Sequence, residues 1–372
     1  MKYVNEAFDM EKDLGYRRVQ MTGRGSYIIS LPKNWVDEIG MEKGSEIAFR
    51  MLDDSSLILV PRKIAEGKKE QEKPGLKEYW VYVDPRDDPR TVSRKIISLY
   101  VISADIVHVH FRNDGMFPKF RSTVNALVKN MLGSEIINET PREITIQILI
   151  NHPEFPVEKA IRRMAVLAIS ANKDAVSALS NMSDQTFGEI ADLCGDVDRL
   201  DLYVVRQLKF GLEQDLFEEL GFRTPKEFLG YRIVANDIKG VADNAANIAR
   251  NLMNLKKMIE SQTLLLNEAV DEEVYSQILE YNSLAHKLFE DSLKAMFKRD
   301  YEQADKIISE IESFAAEEND LLIVVSSKKL DPNVASALGL LLDNSRRMME
   351  YTRNISEVTL NRTIEEVSVQ IL

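Results

Sequence analysis

Short apolar segments separated by glycine-containing breaks characterise the N-terminal part of the chain. The pattern predicts strands over 17–22, 26–31, 46–51 and 57–60, with a helical turn at 34–39. Four strands in about 46 residues bury little apolar surface, because so small a sheet has no second layer to pack against. We therefore expect this unit, residues 1–62, to complete its core by intertwining with a second copy, which makes the protein an obligate homodimer.

A charged segment with few apolar residues, 63–78, follows and has the composition of a linker. Beyond it, residues 79–152 alternate between strand and helix patterns, which predicts a small α/β segment. Its predicted elements are strands 79–83, 106–111, 135–138 and 143–150 and helices 89–103 and 117–131. No glycine-rich phosphate loop follows any of these strands, so we predict no cofactor site and assign the segment no functional role.

Helical periodicity dominates the chain from Pro156 onward. Pro225 and Pro332 stand at expected helix starts, each after a residue that can cap a helix, Thr224 and Asp331. The predicted helices span 156–182, 184–220, 225–262, 267–299, 301–328 and 332–366. We expect them to form two tandem three-helix bundles, 153–263 and 264–372, so that the C-terminal half is all-α and the chain is multidomain.

The third helix of each predicted bundle carries a related sequence. Residues 243–249 read DNAANIA and residues 350–356 read EYTRNIS, which aligns an acid, an asparagine and an isoleucine without gaps at a separation of 107 residues. Self-similarity at a fixed separation indicates a repeated structural unit. The two bundles are therefore predicted to arise from an internal duplication.

The composition is that of a globular protein. Of the 372 residues, 44% are hydrophobic and 29% are charged, which excludes wholesale disorder, and a single cysteine excludes a disulfide scaffold. No run of about 18 uncharged apolar residues is present, and the first 13 residues are acidic rather than basic and then apolar. We expect a cytoplasmic protein without membrane insertion.

The net charge of -12 at first argues against a nucleic-acid partner, because DNA affinity depends largely on cations that meet phosphates. The charge is segregated, however. Residues 1–63 hold ten basic and ten acidic side chains, whereas 155–372 hold 25 basic and 37 acidic ones. Within the neutral N-terminal part, 14–36 carries cations and no acid. We therefore expect the isolated segment 1–63 to bind DNA at least as tightly as the full chain.

The predicted third helix carries residues 241–249 (VADNAANIA), and the second helix carries 197–200 (VDRL) and 205–208 (VRQL). By these residues the helical part, about 210 residues, resembles the PhoU family of phosphate-uptake regulators. The resemblance implies helical bundles that report phosphate status to a protein partner, either a phosphate-transport ATPase or a sensor kinase.

The N-terminal part contains residues 19–33 (VQMTGRGSYIISLPK), followed by Gly44, Ser45 and 57–60 (LILV). By these residues it resembles the AbrB-like domain of transition-state regulators, a swapped-hairpin β-barrel. The order of the two resemblances is that of archaeal PhoU-like proteins. It implies a dimeric DNA-binding barrel joined to the two bundles.

The candidate DNA-binding residues are Arg17, Arg18, Arg24 and Lys33. Arginine can contact phosphates or guanine edges through two hydrogen bonds, and a dimer doubles the number of cations on the surface. The alternative is an ordinary solvated strand surface, and AbrB-like domains also serve as dimerisation units without DNA binding.

PhoU-like bundles often carry two carboxylates one helical turn apart, an arrangement that can hold hard cations or a metal cluster. Here the positions four residues before Asp243 and Glu350 are Lys239 and Arg346. We interpret both as structural ion pairs along a helix and predict no cofactor. A metal-binding bundle is kept as the alternative.

The remaining candidate chemistry favours no enzyme. His108 and His110 alternate on one predicted strand and could be ligands, but satisfied or exposed histidines explain them more simply. Cys194 lies among apolar residues of a predicted helix, with no histidine nearby in the sequence, so we interpret it as a structural thiol. No set of nucleophile, base and orienting residue is visible.

These observations predict a non-enzymatic, phosphate-responsive regulator of phosphate uptake or transcription. It would bind DNA through the N-terminal dimer and sense phosphate status or partners through the helical bundles. The main alternative is an adaptor of a phosphate transporter or sensor kinase whose N-terminal domain only dimerises.

Overall fold

The computed structural model describes ten parts of the chain: 16–23, 25–51, 56–62, 76–113, 115, 117–150, 155–178, 183–260, 272–327 and 331–368. The chain divides into two compact units, Met1–Gly75 and Leu76–Leu372. Each unit is described by itself below.

The described residues of the first unit form two antiparallel hairpins and a short helix. Strands β1 (Gln20–Met21) and β2 (Tyr27–Ile28) form the first hairpin, and β3 (Ile47–Met51) and β4 (Leu57–Pro61) form the second. Helix α1 (Lys33–Glu38) lies between them in the chain. The strands of the first hairpin are shorter than the alternation predicts, with two residues each.

The second unit begins with an α/β layer in which the predicted elements are present. They are β5 (Glu78–Val83), α2 (Pro89–Val101), β6 (Ile106–Phe111), α3 (Phe117–Lys129), β7 (Ser134–Thr140) and β8 (Glu143–Ile148). The sheet has the order β5-β6-β8-β7, with β5 and β6 parallel and the other neighbours antiparallel. Asp88 caps α2 by accepting hydrogen bonds from the backbone N–H of Arg90 (2.7 Å) and Thr91 (3.3 Å).

Strand alternation places the core of this layer on one face of the sheet. The buried apolar strand residues are Val81, Val83, Val107, Val109, Phe111, Ile144, Ile146 and Ile148, and they form one cluster with buried residues of α2 and α3. The residues between them point to the opposite face, where Trp80 and Tyr82 are exposed and Thr145 is buried. The sheet is therefore covered by its helices on one side.

Long helices form the rest of the second unit. They are α4 (Val157–Ser177), α5 (Asp184–Gln214), α6 (Glu227–Glu260), α7 (Glu272–Lys298), α8 (Tyr301–Ser327) and α9 (Pro332–Val367). Helices α4, α5 and α6 contact one another, as do α7, α8 and α9, and α6 also packs against α9. Apolar residues of both sets belong to one core cluster. Among the described residues, no helix is long and apolar enough to span a membrane.

Several helix ends differ from the sequence prediction, since α2 and α3 each end two residues early and α4 ends at Ser177 rather than at 182. Helix α5 ends at Gln214 rather than near 220, because Asp215 adopts the left-handed conformation (φ 55°) that terminates a helix. Helix α6 begins at Glu227, whose N–H donates to the carbonyl of Thr224, so Pro225 lies in the preceding turn. At α9 the prediction is correct, since Asp331 accepts a hydrogen bond from the N–H of Asn333 at 2.8 Å.

Arg206 of α5 joins the helices to the α/β layer. Its side chain is 2% exposed, and Nη1 donates to the carbonyls of Tyr100 (2.6 Å) and Ala104 (2.9 Å). These carbonyls lie at the C-terminal end of α2, where the helix dipole favours a cation. The carboxylate of Asp105 lies 4.0 Å from Nη2. One guanidinium therefore satisfies buried acceptors of a neighbouring layer.

Helices α6 and α9 approach each other closely at two glycines of α6. A Cβ atom on Gly240 would lie 2.5 Å from the Tyr351 ring, and one on Gly230 would lie 2.7 Å from Cγ1 of Val358. Asp237, on the same helix, is 3% exposed and forms a side-chain hydrogen bond with Asn354 of α9. This interface thus contains a buried carboxyl group.

We expect Arg206→Met to destabilise the protein by about 2–4 kcal/mol, because the buried carbonyls at the end of α2 lose their donor. Methionine keeps much of the side-chain length without hydrogen-bonding groups. Urea unfolding of the full chain, together with hydrogen exchange of the α2 amides, measures the effect. Arg163→Met, at an exposed position of α4, is the matched control, expected within about 0.5 kcal/mol of the parent. Equal losses in both variants would contradict the role of Arg206.

Burial raises the pKa of Asp237 to about 7 in the folded protein, against an opposing hydrogen bond from Asn354. In the unfolded chain this carboxyl has its ordinary pKa of 3.8, so the folded state holds one extra proton between pH 3.8 and about 7. Stability contributed by this group is therefore lost as pH rises from about 4 to about 7.

We expect Asp237→Asn to raise the unfolding temperature at about pH 8 and to change it little at about pH 4, since the amide carries no charge at either pH. Thermal unfolding of the full chain across this range measures the difference. Asp192→Asn, at an exposed position of α5, is the control. If the stability difference between Asp237→Asn and the parent does not vary with pH, burial does not shift the pKa of this carboxyl.

Candidate functional site

The predicted DNA-binding residues lie on the surface of the first unit where the structure describes them. Arg17 and Arg18 precede β1, Lys33 is the first residue of α1, and all three are exposed. Arg24 lies outside the described residues. Arg17 donates to the backbone carbonyl of Tyr16 at 2.9 Å. Within the described residues, Arg17, Arg18 and Lys33 form no ion pair, so no acidic neighbour there neutralises these cations.

The turn between β1 and β2 holds the cationic segment in a hairpin. The N–H of Thr22 donates to the carbonyl of Ser26 (2.9 Å), and the N–H of Gly25 donates to the carbonyl of Thr22 (3.0 Å). Gly25 has φ 82°, a conformation that favours glycine. The glycines of the motif at 19–33 therefore lie in the turn between β1 and β2.

The first unit leaves its apolar side chains uncovered. Among its described residues, only Pro61 is buried. The exposed large apolar side chains are Tyr16, Val19, Met21, Tyr27, Ile28, Ile29, Phe49, Met51, Leu57 and Ile58. In the second hairpin, Phe49 pairs with Leu59 and Met51 pairs with Leu57, which places these four side chains on one face of the ladder. A contiguous apolar face of this kind marks an interaction surface.

The ion pairs predicted for the third helices are present. The Nζ of Lys239 lies 3.2 Å from the carboxylate of Asp243, and it also contacts Asp198 of α5. Burial alone would lower the pKa of Lys239, but hydrogen bonding to Asp198 and the two negative charges raise it overall. The cation therefore lies between two carboxylates of neighbouring helices.

Arg346 occupies the corresponding place on α9. It contacts Glu350, lies 2.6 Å from Asp343 on the same helix, and lies 3.5 Å from Glu318 of α8. In the part of the chain that the structure describes, no group of three or more His, Cys, Asp or Glu side chains is arranged to hold a metal ion. The carboxylates at both positions form ion pairs with Lys239 or Arg346.

Cys194 has the environment of a structural thiol. Its Sγ donates a hydrogen bond to the carbonyl of Ala242 at 3.2 Å. Burial, with a smaller contribution from Asp198 and Asp243, raises the pKa of the thiol to about 11. The reactive thiolate form is therefore disfavoured.

The strand histidines lie on the helix-free face of the sheet. Nδ1 of His108 lies 3.0 Å from Glu143, Nε2 lies 3.6 Å from Glu78, and the ring stacks on Trp80 with centroids 4.9 Å apart. His110 meets the edge of Tyr82 at 5.8 Å. The hydrogen bond from His108 lowers the pKa of Glu143. These contacts agree with the simpler interpretation of both histidines, as strand residues with neighbours on the sheet.

Several buried polar groups were not predicted as candidates from the sequence. Glu227, at the start of α6, lies 2.7 Å from Arg299 and 3.4 Å from Arg362, and this cluster ties α6 to α9 and to the residue after α7. Burial alone would raise the pKa of Glu227, but the two arginines lower it overall. The sequence could have indicated that Arg206 is buried, since it is a lone cation in an apolar helix segment, YVVRQL. The sequence around His286, which is buried in α7, has no comparable pattern.

Comparison with known proteins identifies two regions. A model of the PhoU domain matches residues 161–252, and a model of the MazE family, described as a bacterial antitoxin for antidote-toxin recognition, matches residues 20–66. A comparison with curated proteins finds no match.

Among solved structures, the crystal structure of PhoU from Pseudomonas aeruginosa is similar at 14% identity and a TM-score of 0.47, covering 56% of this chain and 96% of its own. PhoU from Streptococcus pneumoniae, a phosphate transport system regulatory protein, is similar at 15% identity and a TM-score of 0.44, covering 58% and 96%. The two family matches cover separate regions of the chain, with the MazE-like segment ahead of the PhoU-domain match.

Proposed function

We propose that this protein is a cytoplasmic, non-enzymatic regulator of phosphate uptake that binds DNA through a dimeric N-terminal domain. The observation that carries the proposal is the order of two regions, a MazE and AbrB-like segment at 20–66 followed by a PhoU domain at 161–252. The exposed cations Arg17 and Arg18, just before the first region, and Lys33 within it supply the charge that phosphate contacts require.

The N-terminal unit, in this proposal, forms a swapped-hairpin β-barrel with a second copy of the chain. The support is the uncovered apolar face that includes Phe49 and Met51, because a two-stranded hairpin cannot bury both of its own faces. Pairing with a second copy covers that face and brings two sets of cations onto one surface. A two-fold arrangement of this kind suits DNA with two half-sites.

The helical part acts as the sensor in this proposal, as two tandem three-helix bundles that report phosphate status to a protein partner. The family resemblance suggests a phosphate-transport ATPase or a sensor kinase as that partner. Partner binding would change how the two helical parts of a dimer hold the two N-terminal domains. DNA affinity would then follow the spacing of the half-sites that the dimer presents.

The second candidate function is an adaptor whose N-terminal unit dimerises without binding DNA. The same exposed apolar face favours it, because dimerisation alone accounts for that face. A gel-shift experiment with genomic DNA fragments separates the two candidates. DNA retention at low salt supports the regulator, and no retention by a protein that is dimeric supports the adaptor.

We expect the double variant Arg18→Glu and Arg24→Glu to abolish DNA retention at low salt while the dimer persists. Each lost phosphate contact also lowers the salt dependence of binding, by about one unit of slope. Fluorescence anisotropy of labelled DNA over a salt series measures both effects. Lys43→Glu changes an exposed lysine of the same unit, outside the acid-free stretch, and is the control. Unchanged retention with a flat salt response would exclude the proposed interface.

We expect the full chain to sediment as a dimer of two 42.5 kDa chains. The double variant Phe49→Ser and Met51→Ser is expected to dissociate into monomers. Removing two large apolar side chains from an interface core lowers the association energy by several kcal/mol. Analytical ultracentrifugation over a concentration series measures the change. Leu229→Ser, at an apolar position of α6 that is 72% exposed, is the control. A monomeric parent, or a double variant as dimeric as the control, would show that this face is not the interface.

A further inference from the structure

An open cavity of about 310 Å³ lies between α4 and α7, the first helices of the two sets. This volume is at the lower end for small-molecule sites. The lining residues are Lys173, Val176 and Ser177 of α4 and Tyr275, Leu279, Asn282, Ser283 and His286 of α7. Lys173 and Ser283 are exposed at the mouth, whereas Val176, Asn282 and His286 are buried. The cavity thus leads from a surface cation to a buried imidazole along partly apolar walls.

His286 has no hydrogen-bond partner for either ring nitrogen among the described residues, although the side chain is only 4% exposed. A neutral imidazole has one N–H donor and one nitrogen acceptor, and burying both unpaired costs free energy that a partner recovers. The neighbouring Asn282 differs, since its amide donates to Oγ of Ser345 of α9 at 2.9 Å. An unpaired imidazole that lines a cavity indicates a place for a ligand.

The charged groups that act on His286 are Lys173 from α4 and Glu290 from its own helix. Burial, and then the charge of Lys173, lower the pKa of the imidazole to about 4, so the ring is neutral near neutral pH. Nζ of Lys173 lies 2.9 Å from Oε1 of Glu290, and the two side chains are 55% and 35% exposed. An exposed ion pair of this kind contributes little, so a bound anion can replace Glu290 as the partner of Lys173.

We propose that this cavity binds a small oxyanion, either phosphate or a phosphomonoester. The ammonium of Lys173 meets the anionic charge, the hydroxyl of Ser283 can donate at the mouth, and an N–H of His286 donates to the oxygen that reaches deepest. Val176 and Leu279 exclude water and so strengthen these interactions. The inference goes beyond the proposed function, because it requires neither DNA binding nor a second copy.

Binding at this site takes up a proton. The anion favours the imidazolium form of His286, so its pKa rises above about 4 in the complex, and the affinity increases as pH falls from neutral toward about 4. Phosphate itself titrates near neutral pH, whereas sulfate keeps its charge. Sulfate therefore isolates the contribution of the histidine.

Isothermal titration calorimetry of the full chain with inorganic phosphate, glycerol phosphate and sulfate tests the proposal. We expect one site per chain and, in two buffers of different ionisation enthalpy, proton uptake with sulfate. Lys173→Gln and His286→Phe are each expected to weaken binding about tenfold or more, the usual effect of losing a hydrogen bond to a charged group. Lys209→Gln, which removes an exposed lysine of α5, is the control and is expected to bind as the parent does.

Lys173 is exposed, so its variant keeps the test valid even where His286→Phe fails to fold. Tighter binding of glycerol phosphate than of phosphate identifies an ester as the ligand class, and the reverse order identifies the free ion. No heat with any of the three anions, or equal affinity in the parent and both variants, overturns the proposal. DNA retention is measured on the same protein, so failure here and failure of the proposed regulator are separate results.

Discussion

The close approach of α6 and α9 is the contact on which the arrangement of the helical part depends. Gly240 and Gly230 leave the space that Tyr351 and Val358 of α9 fill, so a larger side chain at either glycine would have to displace one of these two side chains. Because α6 belongs to one helical set and α9 to the other, this contact joins the two sets into one apolar core. The motif that carries the family resemblance, residues 241–249, follows Gly240 directly on α6.

Polar groups at this junction follow from the same constraint. Helices that pack this closely exclude water, so a polar side chain on a contact face needs a partner from the opposite helix. At another contact between the two sets, Asn172 of α4 and Asn344 of α9 provide an example, since their amides donate to each other at 3.0 and 3.2 Å while both side chains are buried. Asp237 is hydrogen-bonded less completely. One carboxylate oxygen has a hydrogen bond with Asn354, and the other has no partner among the described residues. The inter-set contact is therefore where the charge state of one residue can alter packing.

Periodicity predicted the long helices and the strands of the α/β layer because these patterns are local. Alternation of period two over 106–111 and the cap at Asp331 need no information from elsewhere in the chain. The partners of Arg206, Glu227 and His286 could not be predicted in this way. Arg206 meets carbonyls more than 100 residues away, and the wall opposite His286 comes from another helix. Helix α5 was predicted too long because the left-handed residue Asp215 interrupts an apolar pattern that continues beyond it.

The two units differ both in how much apolar surface they bury and in the charge that they carry. Residues 76–372 bury an apolar core and carry the whole excess of acidic residues, so their surface repels polyanions. The described residues of the first unit bury almost nothing and keep an acid-free stretch with exposed arginines. An uncovered apolar face is unfavourable in water, whereas an uncovered cation is not, so the first requires a partner and the second only permits one. Dimerisation is thus the firmer physical expectation for this unit, and DNA binding depends on whether the dimer brings its cations to one surface.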